Sequence, residues 1–130
     1  MSEKIKVLLV EGDTAVAMMM AYLLSCEGFE VKPAFTGKTG MDLATTRKFD
    51  LILLDVDLDV PSLNGFDICR ELKQRHISYR TPIIILSGNG TEERREKAFE
   101  VGASDFIEKP FDASDFVSRI YSLVKEAAVA

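Results

Sequence analysis

Two uninterrupted apolar runs, Leu51-Ile52-Leu53-Leu54 and Ile83-Ile84-Ile85-Leu86, restrict the architectures open to this chain. A strand that is apolar at every position is covered on both faces, as in a parallel sheet flanked by helices. The first run leads into Asp55, and Asp57 follows two residues later. An acid at the end of such a strand lies on the carboxyl edge of the sheet, where open α/β folds bind their ligands. A carboxylate there serves as a metal ligand, a nucleophile or a helix cap.

Around these runs the pattern alternates between short apolar stretches and helical spacing. Ile5–Val10 reads as a first strand. Ala15, Met18, Met19, Tyr22, Leu23 and Cys26 follow the stripe of a helix closed by Gly28, which places the methionine pair in the core. Phe29–Phe35 is a weaker strand, with Pro33 pointing to an edge position. Thr36 caps a second helix carrying Met41 and Ala44, and Asp50–Asp55 is the central strand. A loop from Val56 to Asn64 leads to a helix with Ile68, Cys69 and Leu72 inward, and then to the strand Pro82–Leu86. Thr91 caps a charged helix with Ala98 and Phe99 inward. Ser104–Glu108 is a short fifth strand, and Asp112 caps a last helix presenting Phe116, Ile120 and Val124. Five strands alternating with five helices, with no linker or repeat, specify an α/β doubly wound five-stranded parallel sheet in one domain over residues 1–130.

In that arrangement every strand opens its carboxyl end on one rim. Glu11, Gly12 and Asp13 follow the first strand, Asp55 and Asp57 the third, Ser87 ends the fourth, and Lys109 follows the fifth. Clustered carboxylates repel unless a cation joins them, so a hard ion such as Mg²⁺ is expected. A carboxylate also attacks phosphorus to give an aspartyl phosphate, with Lys109, the Ser87 hydroxyl and the metal facing the phosphoryl oxygens. Asp55, central on the rim, is the candidate acceptor. Taken singly, each residue has a plainer role: Asp13 as a helix cap, Asp57 and Asp59 as loop solvation, Ser87 as a turn residue and Lys109 as a surface lysine. Lone His76 faces solvent. Convergence carries the functional case.

So placed, the chain from Ile5 to about Val124 resembles the receiver domain of two-component response regulators, a flavodoxin-like fold. The resemblance rests on Val-Glu-Gly-Asp after the first strand, Leu-Leu-Asp55, Asn64-Gly65, Leu86-Ser87-Gly88, Gly102-Ala103-Ser104-Asp105-Phe106 and Lys109-Pro110-Phe111. It implies that Asp55 accepts a phosphoryl group from a histidine kinase or phosphotransfer protein. It also implies that Lys109 bridges to the phosphate, that Ser87 moves inward to bond it, and that Phe106 rotates with that shift. The metal ligands implied are Glu11, Asp13, Asp55 and the backbone carbonyl of Asp57. The face of the fourth helix, fifth strand and fifth helix is the implied switching surface for a downstream protein.

The chain departs from the family pattern twice. Adjacent acids usually follow the first strand, the second ligating Mg²⁺ directly, and here Gly12 takes that second place. This weakens the expected metal site unless Asp13 swings in. The loop Asp57-Leu58-Asp59-Val60-Pro61-Ser62-Leu63-Asn64 is longer than usual, which brings Asp59 near the crevice as a compensating ligand, a partner contact or neither.

Three functions compete. The leading one is a phospho-acceptor receiver, stand-alone or excised from a larger protein, that is not an enzyme beyond slow self-dephosphorylation. The second is a degenerate receiver with impaired metal binding, acting as a phosphorylation-independent interaction module. The third is a haloacid-dehalogenase-like phosphatase, because Asp55-Val56-Asp57 resembles that family's nucleophile motif; its place on the third strand and the lack of a cap segment oppose it. A net charge of −5 without a Lys/Arg cluster argues against nucleic acid as a partner. The amino terminus lacks a signal peptide's apolar core and no run approaches a membrane span, so cytoplasmic localisation is expected. Cys26 and Cys69 have no metal-type spacing and read as buried free thiols.

Overall fold

A computed structural model describes residues 4–58 and 64–129. The elements run β1 (Lys6–Val10), α1 (Thr14–Cys26), β2 (Glu30–Ala34), α2 (Gly37–Thr46), β3 (Leu51–Asp55), α3 (Gly65–Leu72), β4 (Ile83–Ser87), α4 (Glu92–Glu100), β5 (Asp105–Glu108) and α5 (Ala113–Val129). All strand pairs are parallel, in the order β2-β1-β3-β4-β5. The expected doubly wound sheet is present. Successive elements fall on opposite sides of β1, so the order reverses between β1 and β3 and leaves a crevice at their carboxyl ends.

Every residue of β3 and β4 is buried, as continuous apolar runs require. Leu8, Val10, Ile52, Leu54, Ile83 and Ile85 pack with α2, α3 and α4 on one face of the sheet. Val7, Leu9, Leu51, Leu53, Ile84 and Leu86 pack with α1 and α5 on the other. Each such side chain stabilises the fold by about 1.5–3 kcal/mol relative to exposure. Pro33 lies on β2 at the sheet edge, opposite Leu9, where its missing N–H costs no ladder bond on the outer side. The N-caps read from sequence are formed: Thr36, Thr91 and Asp112 accept from the amides of Thr39, Arg94 and Asp115.

The first helix turns a different face inward from the one its stripe suggested. Ala17, Met20 and Leu24 are buried, whereas Ala15, Met18, Met19, Tyr22 and Cys26 are exposed. Thr14–Cys26 is apolar on nearly every side, so periodicity alone does not select the core face. Phe99 is likewise outside, with the Arg95 guanidinium over its ring. Of the two thiols only Cys69 is buried, and burial pushes its pKa up to about 11. Among the described residues no helix is long and apolar enough to cross a membrane.

Candidate functional site

The crevice between β1 and β3 holds three of the expected residues in direct contact. Glu11 directly follows β1, where its amide donates to the Ala34 carbonyl. Asp55 ends β3 and Lys109 follows β5, its amide donating to the Ser87 carbonyl at 2.8 Å. The Lys109 ammonium donates to Glu11 Oε1 at 2.5 Å and to Asp55 Oδ2 at 2.9 Å. Asp55 Oδ1 accepts the Asp57 amide at 2.8 Å, so the carboxylate is fixed at both oxygens. Lys109 precedes Pro110 through a cis peptide bond.

Glu11 and Asp55 are almost fully buried, at 2% and 3% exposure. Burial raises the Glu11 pKa above the ordinary glutamate value, and the adjoining Asp55 adds to this against the opposing Lys109 bond. For Asp55, burial pushes upward, but hydrogen bonds from Glu11, Lys109 and the Asp57 amide outweigh it and hold the carboxyl below the usual range. Lys109 loses basicity to burial and regains more from the two carboxylates, so its pKa lies above the ordinary lysine value. At neutral pH, Asp55 is therefore an ionised carboxylate beside a protonated lysine.

The start of α3 comes so close to this site that only glycine fits. A Cβ on Gly65 would lie 2.6 Å from the Asp55 carbonyl oxygen and 2.7 Å from Val56 Cα. Asn64 caps the helix through the Asp67 amide. The Asn64-Gly65 pair is thus a packing requirement for presenting Asp55.

Asp13 faces another task. Its Oδ1 accepts the Val16 amide at 3.1 Å, capping α1, while its own amide donates to Glu11 Oε2. A Cβ at Gly12 would meet nothing closer than 3.9 Å, so space for a side chain exists where the acid is missing. Asp59 lies outside the described residues. The hollow over the site, about 380 Å³, is lined by Glu11, Gly12, Asp13, Val16, Asp55, Asp57 and Lys109. Among the described residues no three acid, His or Cys side chains gather closely enough to hold a metal by themselves. The two carboxylates of Glu11 and Asp55 still fit Mg²⁺, which commonly takes one or two carboxylates and completes its shell with water and phosphate oxygens.

Ser87 belongs to a neighbouring cluster that the sequence did not disclose. Its Oγ accepts from Arg94 Nη1 at 2.7 Å, and the same nitrogen donates to Asp57 Oδ1 at 3.1 Å. Arg94 sits in the first turns of α4, whose charge pattern reads as a solvated face, and no spacing rule connects it to Ser87. Phe106 is already inside, 4% exposed, in the layer with α2, α3 and α4.

The family model described as a response regulator receiver domain matches residues 7–121. The chain belongs to that family. Such a receiver is a phospho-accepting signalling domain of two-component systems and not an enzyme in the usual sense, which removes the phosphatase alternative. The chain is 38% identical over 122 residues to the cell cycle transcriptional regulator CtrA of Caulobacter vibrioides, covering 94% of this chain and 51% of that one. It is 34% identical, with the same coverage, to the cell cycle response regulator CtrA of Brucella abortus. The receiver thus spans about half the length of these curated relatives. Among solved structures, a CheY-like receiver domain protein from Methanospirillum hungatei superposes with a TM-score of 0.88 at 25% identity, over 97% of this chain and 98% of that one. The receiver domain of Francisella response regulator 1452 gives 0.86 at 28%, over 95% and 98%.

Proposed function

We propose that Asp55 of this receiver accepts a phosphoryl group from a histidine kinase or phosphotransfer protein and thereby switches a protein-binding face. The observation carrying this reading is the bond from Lys109 to Asp55 Oδ2 at 2.9 Å, at a carboxylate held below its usual pKa at the mouth of the crevice. An ionised carboxylate oxygen attacks phosphorus while the bond from phosphorus to the donor's imidazole nitrogen breaks. The released imidazole keeps that electron pair and takes a proton from solvent. Lys109 offsets charge on the phosphoryl oxygens and stays protonated throughout, because Glu11 remains its partner.

Glu11, Asp55 and the Asp57 carbonyl would hold Mg²⁺. Bound there, the ion supplies positive charge to the phosphoryl oxygens. Asp13 enters this set only by giving up its helix cap, so the ion is held by fewer acids than the family pattern provides.

After transfer, Ser87 turns to hydrogen-bond the phosphoryl group, with Phe106 filling the space beside it. The consequence is read on α4, β5 and α5, where exposed Phe99 offers an apolar contact to a downstream protein. Val16 and Lys109 also border an apolar hollow with Met19, Pro110 and Phe111, and this supports an approach of the donor protein along α1. Histidine kinases draw on cytoplasmic ATP, which supports a cytoplasmic location for the chain.

Intact-protein mass after incubation with acetyl phosphate and Mg²⁺ tests the reading. One phosphoryl adduct, absent from Asp55→Asn, is the expected result. No adduct on the wild-type chain at any Mg²⁺ concentration overturns it in favour of an interaction module that works without phosphorylation.

A further inference from the structure

We propose that Arg94 is a latch that holds the Ser87 hydroxyl away from Asp55 until phosphorylation releases it. The inference rests on the phospho-acceptor reading above, but the arrangement behind it exists in the unphosphorylated chain. Ser87 is fully buried and its hydroxyl is saturated. It donates its one proton to the Asn89 carbonyl at 3.0 Å and accepts from the Asn89 amide at 3.1 Å and Arg94 Nη1 at 2.7 Å. A hydroxyl has one donor and two acceptor positions, so no capacity remains for a phosphoryl oxygen. Turning towards Asp55 costs the bond to Asn89 and strains or breaks the bond from Arg94.

The guanidinium is itself anchored. Arg94 Nη1 pairs with Asp57 Oδ1, while Asp57 Oδ2 accepts the Gly88 amide at 3.3 Å. The loop after β3 and the loop after β4 are therefore tied together twice, through Arg94 Nη1 and through the Gly88 amide. Charge-assisted bonds are roughly twice as strong as neutral ones, so the Arg94 bond weights Ser87 towards its present orientation. A phosphoryl group on Asp55 adds negative charge next to Asp57, whose amide already bonds Asp55 Oδ1. The guanidinium then has a new anion within the same cluster and the hold on Ser87 loosens. Arg94 touches neither Asp55 nor a phosphodonor, and acts by positioning Ser87.

Three chains decide the matter: wild type, Arg94→Ala and Arg94→Lys. A lysine retains one nitrogen able to make both bonds, as Nη1 does. In the unphosphorylated proteins, ¹⁵N relaxation dispersion at the Gly88 and Asn89 amides reports whether the loop samples a second state. Arg94→Ala should show exchange at both amides that wild type lacks, and Arg94→Lys should suppress it. With acetyl phosphate, Arg94→Ala should label on the order of tenfold faster than wild type, the factor expected for one lost charge-assisted bond. Unchanged exchange in Arg94→Ala, or labelling slower than wild type, overturns the latch. If wild type takes no label, the phospho-acceptor reading fails, and the amide exchange still decides whether Arg94 restrains Ser87.

Discussion

Replacing Lys109 with methionine leaves two buried carboxylates facing each other across the crevice. Their side chains are 3% and 4% exposed in Glu11 and Asp55, and the lysine they share is 24% exposed. Removing one partner of a buried charge cluster costs about 3–5 kcal/mol, because the remaining charge stays desolvated. The dyad has a way to relieve this that the wild-type site does not need: it takes up one proton and titrates as a pair. In the unfolded chain both acids are ionised above about pH 5. Across the neutral range the native variant therefore binds one more proton than the unfolded state, and its stability falls by about 1.4 kcal/mol for each pH unit gained.

The wild-type site behaves differently over the same range. The depressed pKa of Asp55 contributes stability above the ordinary aspartate value, and that contribution is lost only as pH falls through the folded value. The raised pKa of Lys109 contributes stability below the ordinary lysine value, lost as pH rises through the folded one. Glu11 opposes them: its raised pKa costs stability that builds up as pH climbs from the ordinary glutamate value through the raised one and persists above it. Urea denaturation followed by circular dichroism in EDTA buffer should thus give a stability loss near 4 kcal/mol at pH 7.5, shrinking to about 1 kcal/mol at pH 5.5. A loss that stays constant between those pH values, or no loss at all, refutes the charge assignment.

Gly65→Ala should lower stability by about 1–3 kcal/mol, since its Cβ would overlap the Asp55 carbonyl oxygen at 2.6 Å; it should also slow labelling of Asp55, and an unchanged urea midpoint would count against the close approach. Asp13→Ala should cost about 1 kcal/mol through its lost cap yet keep acetyl phosphate labelling, whereas abolished labelling would show that Asp13 ligates the metal. Gly12→Asp has room for its side chain and should lower the Mg²⁺ concentration needed for half-maximal labelling, and an unchanged requirement would acquit Gly12. Disulfide-exchange reagents should modify exposed Cys26 quickly and leave Cys69 unreacted in the native state, because its thiol is buried with a pKa of about 11; equal rates would contradict that burial.

The sheet could be read from sequence because β3 and β4 carry an unambiguous signal: no strand apolar at every position survives unless covered on both sides. The rim residues Glu11, Asp55, Ser87 and Lys109 follow from where the strands' apolar runs stop. Reading failed where pattern lost contrast. With apolar residues almost all round, α1 gave its stripe no polar face to be measured against, and Met18 and Met19 were assigned to the wrong side. Arg94 failed to register for another reason. A long side chain reaching from one element to the loop of another leaves no periodic trace, and α4 was legible only as a charged helix. Asp13 had two readings that spacing alone does not separate, and the Val16 amide places its carboxylate on the cap.

The Lys109 contacts join residues 98 and 54 positions apart. Synthesis delivers Glu11 and Asp55 long before the lysine that compensates them. Pairings so distant along the chain close late in folding, after local helices have formed. A nascent or truncated chain ending before residue 109 therefore carries Glu11 and Asp55 without their shared cation. The crevice gains the ammonium that compensates its acids only when β5 is in place.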